Sequence, residues 1–335
     1  MTAQQADLPL LNLWQRDFPL VRAPFAQIGA SLGLDAQAVL ARYRHLHDMG
    51  ALSRIGAVFA PGAGGASLLA AMAVPPDRLD TVATIVSRHP GVNHNYEREH
   101  QVNLWFVATG RDAAAVEQLL CSIEADTGLT VLRLPMLRPY RIDTGFDLRG
   151  AQSQASGATH WAQTSLRAGD EPLAALAEQG LPLLEQPFDA WAAQLGQPVE
   201  AVLATLARWL DGKTLSRFGV VVRHHELGFS ANAMTVFDVP ETEVDACGEA
   251  LAQIPGITLA YQRARAPGWP FNLYCMVHGR DRDSVHATVH AAIAQAGLHA
   301  HPRATLFSLR RFKQTGARRF AHHGPASHGA THAHA

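Results

Sequence analysis

The chain has 335 residues, enough for more than one domain of ordinary size, and 47% of them are hydrophobic, enough to build real cores. Its 28 basic and 29 acidic residues leave a formal charge of -1, which excludes a whole-chain attraction to nucleic acid or anionic membrane and confines any anion site to a local patch. Three cysteines (Cys121, Cys247 and Cys275) lie far apart without C-x-x-C spacing, against a disulfide framework, a zinc site or an iron–sulfur cluster, and without a basic-apolar leader or an apolar run near about 18 residues the expected protein is cytoplasmic and spans no membrane.

In chain order the sequence is one unit written twice. FPLVRAPFAQIGASLGL from Phe18 aligns with LPLLEQPFDAWAAQLGQ from Leu181 at an offset of 163, and the offset holds through Leu52-Ser53-Arg54-Ile55-Gly56 and Leu215-Ser216-Arg217-Phe218-Gly219. It drifts to 165 at Pro90-Gly91 and to 169 at Asn103-Leu104, as loop insertions would produce.

Each unit opens with a short helix (Pro24 to Leu32, Pro187 to Leu195) and a tight turn. A second helix follows: Asp35 caps one whose apolar residues Val39, Leu40, Tyr43, Leu46 and Met49 share a face, and Val202, Leu203, Leu206 and Leu210 repeat the pattern after Pro198. Short β-rich stretches, Leu52 to Phe59 and Leu215 to Val222, read as wings. The remainder alternates as strand (Leu68 to Val74), helix (Asp77 to His89), two strands (Val92 to Arg98, Asn103 to Gly110), helix (Arg111 to Asp126) and a last strand from Thr130, and the second copy repeats this from Ser230 to Phe312. That order is βαββαβ.

The expected fold class is therefore α+β, a tandem repeat of winged helix-turn-helix plus ferredoxin-like plait, paired as an intramolecular pseudo-dimer. The expected divisions are 8–60 and 171–224 for the winged helices, 64–148 and 228–316 for the plaits, 149–170 for a Gly/Ser/Gln-rich linker and 317–335 for a histidine-rich disordered tail.

A DNA-reading helix needs exposed basic or amide side chains. The first copy offers Arg42, Arg44, His45 and His47, whereas the second offers Arg208 among the acidic Glu185, Asp189, Glu200 and Asp211, so DNA is not the expected partner. His224 and His225 beside Glu226, and His286 with His290, read as loop and surface histidines.

The most informative stretch runs from Gly91 to Val107. If Val92 to His100 is extended, period two places His94, Tyr96, Arg98 and His100 on one face, where they either line a pocket or face solvent. The second copy has Leu259, Tyr261, Arg263 and Arg265 at these places, so the two halves cannot be chemically equivalent.

These motifs, with Asn103-Leu104-Trp105-Phe106-Val107, Tyr140-Arg141-Ile142-Asp143-Thr144-Gly145, Trp269-Pro270-Phe271-Asn272-Leu273-Tyr274, Met276-Val277-His278-Gly279 and Arg311-Phe312-Lys313-Gln314, make a chain that resembles the siroheme decarboxylases. These are relatives of the Lrp/AsnC regulators that act in haem d1 synthesis and the alternative haem route. The likeness covers about Leu10 to Phe320, as a fusion of two subunit types. The resemblance implies an iron tetrapyrrole substrate, siroheme, from which two acetate carboxyl groups leave to give 12,18-didecarboxysiroheme, with no further cofactor.

Such chemistry needs a general acid with a pKa near neutrality. His94 and His100 are the expected catalysts with Tyr96 assisting, and His278 is a weaker third; any of these histidines is alternatively an iron ligand. Arg98, Arg138, Arg141, Arg263, Arg265 and Lys313 are expected carboxylate anchors. Asn103, Trp105, Tyr140, Tyr261 and Tyr274 are expected contacts, although aromatic residues of this kind more often serve the core than a ligand wall. A dimer of the whole chain and sibling decarboxylase subunits are the expected protein partners. A regulator, or a tetrapyrrole-binding protein without catalysis, is the alternative.

Overall fold

The computed structural model describes residues 3–142, 162–223 and 231–320. Most of the linker (149–161), the motif from Asp143 to Gly145, the histidines at 224 and 225 and the histidine-rich residues 321–335 lie outside them. Among the described residues no helix is long and apolar enough to cross a membrane.

Each half begins with a helix that the sequence reading did not find, α1 (Ala3–Asn12) and α6 (Glu171–Gln179). The paired helices follow: α2 (Pro24–Leu32) and α3 (Ala36–Asp48), then α7 (Pro187–Leu195) and α8 (Val199–Asp211). The Asp35 carboxylate accepts from Ala38 N–H at 2.7 Å and caps α3 as expected. Met49, read as part of the buried face, is instead 63% exposed, because the helix ends there and the chain turns away.

The wings β1 (Leu52–Phe59) and β7 (Leu215–Val222) pair with each other, antiparallel, with Gly56 opposite Gly219. The initial helices are exchanged between halves: α6 lies on β1, and the turn after α1 lies on β7. A Cβ on Gly56 would stand 2.6 Å from the Ala177 carbonyl oxygen, and one on Gly219 2.3 Å from that of Trp14, which gives the recurring glycine of the two wing motifs a steric reason.

The presumed reading helix is occupied. Arg44 donates to the Leu183 carbonyl at 2.8 Å, Gln37 contacts Glu185, and Arg42 faces Asp7 at 3.7 Å.

The plaits merge into one nine-stranded sheet. The first contributes β2 (Ala66–Met72), β3 (Val92–Arg98), β4 (Leu104–Gly110), β5 (Leu132–Leu134) and β6 (Met136–Ile142); the second contributes β8 (Ala231–Phe237), β9 (Ile257–Arg263), β10 (Leu273–Gly279) and β11 (Arg303–Gln314). The strand order is β5-β2-β4-β3-β11-β8-β10-β9-β6.

The last strand of each plait serves both halves. β11 pairs with β8 through Arg303 to Phe307 and then with β3 through Ser308 to Gln314, while β5 pairs with β2 before Pro135 turns the chain into β6 on β9. Helices α4 (Leu79–Arg88) and α5 (Ala113–Thr127) cover one outer face, and α9 (Val244–Gln253) and α10 (Arg282–Gln295) the other. Asp112 and Asp281, at matching places in the two copies, cap α5 and α10 through Ala115 N–H and Ser284 N–H, each at 2.7 Å.

The inner faces meet in a shared core in which Ala71, Trp105 and Leu134 of the first half pack with Met234, Tyr261 and Met276 of the second. Arg319 and Phe320, expected to belong to the disordered tail, are instead packed in place. Phe320 is buried against Phe59 at 5.0 Å, because Arg319 and Phe320 are tied to Glu178.

Candidate functional site

One chamber of about 490 Å³ lies between the inner sheet faces and the paired wings. Period two along β3 places His94, Tyr96 and Arg98 on its wall, and the same pattern along β9 places Leu259, Tyr261 and Arg263 there. On the opposite face of β3, Asn95 is fully buried and donates to the Ala83 carbonyl and to Ser87 Oγ of α4. Trp105 from β4 and His278 from β10 complete the sheet wall.

The charge of the chamber is one-sided. Among the described residues six arginines line it (Arg54, Arg98, Arg217, Arg223, Arg263 and Arg319) against a single acid, Glu178. Arg98 donates to the Leu306 carbonyl at 3.1 Å and Arg263 to that of Leu134 at 2.6 Å, yet the Nε of each is buried with no hydrogen-bond acceptor among the described residues. Burial pulls the Arg98 guanidinium down to about 10. Buried cationic donors without acceptors are costly, and an anionic ligand bearing several acceptors removes that cost.

His94 and His278 are enclosed, and burial brings both imidazoles down to about 4, the Arg98 cation adding to the effect at His278. Both are therefore neutral at neutral pH in the free protein, below the range that a general acid needs. A bound polyanion would reverse the sign of the local field and raise them. His278 Nδ1 lies 2.9 Å from Thr258 Oγ1, and Tyr261 stacks on Tyr274 with the Arg263 guanidinium 4.5 Å above its ring.

Eight expected site residues lie elsewhere. His100 is exposed beyond the end of β3, its ring edge-on to Trp269 at 5.3 Å and its Nδ1 accepting from Val102 N–H, because the strand stops at Arg98. Asn103 clamps a hairpin to Val74 with two hydrogen bonds of 2.9 Å, and Asn272 makes the matching pair to Val239, so in both copies the recurring asparagine closes a hairpin.

The remaining six are held outside the chamber by structural partners. Arg138 pairs with Asp245 and Glu249 on α9, Tyr140 donates to Asp245 at 2.7 Å, and Arg141 donates to the Ala252 carbonyl at 3.1 Å, since β6 presents these side chains to α9. Arg265 is bound to Asp238 and Glu241, and Lys313 to the Ser87 and His89 carbonyls at the end of α4. Tyr274 lies behind Tyr261, its oxygen accepting from Trp269 Nε1 at 2.7 Å.

Arg54, Arg217, Arg223, Arg319 and Glu178 were not singled out from sequence. The wing arginines had one signal, their recurrence in the Leu-Ser-Arg motif, whereas Glu178 and Arg319 reach the site only through the exchanged helix and the last strand. His286 and His290 are exposed on α10, and no group of three or more His, Cys, Asp or Glu side chains among the described residues is placed to hold a metal ion.

A family model described as an AsnC-like ligand binding domain matches residues 63–141 and 226–313, and one described as the siroheme decarboxylase NirDL-like HTH domain matches residues 7–52. The siroheme decarboxylase NirDL subunit of Paracoccus denitrificans (strain Pd 1222) is 42% identical over 95% of this chain and 98% of its own. The separate siroheme decarboxylase NirD subunit of Stutzerimonas stutzeri is 50% identical over 42% of this chain and 91% of its own. A crystal structure of the siroheme decarboxylase NirDL in co-complex with an iron-uroporphyrin III analogue superposes with a TM-score of 0.67 at 26% identity, covering 95% of this chain and 94% of that one. With such identity along nearly its whole length, the chain belongs to the siroheme decarboxylase family.

Proposed function

We propose that the chain is a siroheme decarboxylase that binds its iron tetrapyrrole in the chamber between sheets and wings and removes two acetate carboxyl groups without oxidation, giving 12,18-didecarboxysiroheme. In each event the carbon–carboxylate bond breaks, CO2 leaves, and one proton takes its place on the exocyclic carbon, so an acetate becomes a methyl group. The observation that carries the reading is the chamber wall itself, in which, among the described residues, six arginines, one acid and two enclosed histidines stand beside aromatic rings.

In this reading Arg98 and Arg263 hold carboxylates that stay on the ring, since an arginine clamped on the departing carboxylate would stabilise the ground state over the transition state. Tyr96, Trp105 and Tyr261 offer flat apolar faces to the macrocycle. His94 delivers the proton with Tyr96 beside it, and His278 takes the second place first given to His100. The iron arrives with the substrate, and no other cofactor is part of the proposal.

Incubation of the purified chain with siroheme under anaerobic conditions, followed by mass spectrometry of the pigment, tests it. Stepwise loss of one and then two CO2 masses is the expected result. Siroheme that binds and stays intact would leave a tetrapyrrole-binding protein or one subunit of a larger enzyme.

A further inference from the structure

On the wing side the chamber holds a charge cluster that the chemistry proposed above does not use. Arg54 comes from β1, Glu178 from the last turn of α6, and Arg319 from the segment after β11. Glu178 is 3% exposed; its Oε2 accepts from the backbone N–H groups of Arg319 at 2.7 Å and Phe320 at 3.2 Å, and its Oε1 lies 3.1 Å from Arg319 Nε. Arg54 donates from Nη2 to the Ala57 carbonyl at 3.1 Å. Its Nε and Nη1 are buried and have no hydrogen-bond acceptor among the described residues.

Glu178 thus pairs with Arg319 and acts on Arg54 only through the field of its charge, so the Arg54 cation is left without a contacting counter-ion among the described residues of the cluster. Burial already brings Arg54 down to about 10 and pushes Glu178 up, so both charges are held at a cost. The backbone is shaped around the cation: a Cβ on Gly316 would stand 3.1 Å from Arg54 Nε, and one on Gly180 3.0 Å from Arg54 Cβ. In the other copy the same alignment puts Arg217 in the place of Arg54 and Gln15 in the place of Glu178, so the acid is particular to this side.

We infer that Arg54, fixed by its bond to the Ala57 carbonyl and lying in the field of the Glu178–Arg319 pair, is a second carboxylate-binding subsite of the chamber, by which the helix-turn-helix wing grips a side-chain carboxylate of the tetrapyrrole. Arg54 touches the ligand, and Glu178 acts through it as a positioning residue. The wing, an element built to approach nucleic acid, serves here as a wall of the small-molecule site. This rests on the reading that the chamber holds a polycarboxylate tetrapyrrole.

The test uses the full chain with iron uroporphyrin, an octacarboxylate, in a spectroscopic titration and in a crystal structure of the complex. A carboxylate oxygen at about 2.7–3.2 Å from Arg54 Nε or Nη1 is expected, with affinity falling about 10- to 100-fold in Arg54→Gln and partly restored in Arg54→Lys. Glu178→Gln should weaken binding less and leave the carboxylate displaced from Arg54. If Arg54→Gln does not fold, Arg54→Lys and the wild-type complex decide the matter alone. Ligand carboxylates that all lie elsewhere, or variant affinities equal to that of the wild type, overturn the subsite while the chamber stands. A wild-type chain that binds no iron uroporphyrin overturns the chamber reading and the subsite with it.

Discussion

The rings of His94 and Tyr96 stand stacked on the chamber side of β3, 6.3 Å between centroids and 15° between planes. A proton donor placed so deep should be separable from binding. His94→Ala is expected to slow CO2 release by about 10² to 10⁴ while the pigment still binds. His100→Ala, on the exposed hairpin, should change the rate by less than about threefold. Single-turnover assays followed by mass spectrometry check both, and an inactive His100→Ala beside an active His94→Ala would reverse the assignment.

Because burial holds His94 and His278 near 4 in the free chain, loading the chamber with carboxylates should draw protons in. Siroheme added to the protein in weak buffer near pH 6 should raise the pH of the solution, and by less in a His94→Gln, His278→Gln double variant. Equal proton uptake in the two proteins would show that neither histidine is the acceptor.

The same shifts predict acid sensitivity. Each histidine has a folded pKa of about 4 against an ordinary value of 6.5, so between these values the unfolded chain binds more protons than the folded one. Stability is whole above about pH 6.5 and declines as the pH falls toward 4, by up to about 3 kcal/mol per histidine. Urea midpoints at pH 7.5 and pH 5 measure the loss, which should shrink in the double variant.

Tyr140 of the first half packs on Gly248 in the middle of α9, where a Cβ would stand 2.2 Å from the ring. The exchanged strand β6 therefore depends on a glycine that would otherwise disfavour its helix. Gly248→Ala should cost about 1–3 kcal/mol in chemical denaturation, despite the better helix propensity of alanine. An unchanged or raised midpoint would mean that β6 is not held there.

Retention on DNA separates the enzyme from a regulator. Since α3 spends Arg44 and Gln37 on the second half, the chain should show no retention on duplex DNA at physiological salt, whereas a regulator would bind with strong salt dependence. Tight, salt-sensitive binding in a mobility assay would contradict the enzyme reading.

Local sequence was enough for the repeat, the helix pairs and the βαββαβ order, because periodicity and capping act over a few residues: Asp35 caps its helix wherever the rest of the chain goes. It was also enough for the alternation that puts His94, Tyr96, Arg98, Tyr261 and Arg263 on one wall. Tertiary structure decided which polar residues meet. Arg138, Tyr140 and Arg141 look like ligand anchors from their motif, but β6 crosses to the other half and presents them to α9. Glu178 and Arg319, 141 positions apart, come together because α6 and the end of β11 both cross to the first half. A period of two or 3.6 names the face that a side chain occupies, and only the exchange of strands and helices between the halves determines what that face meets.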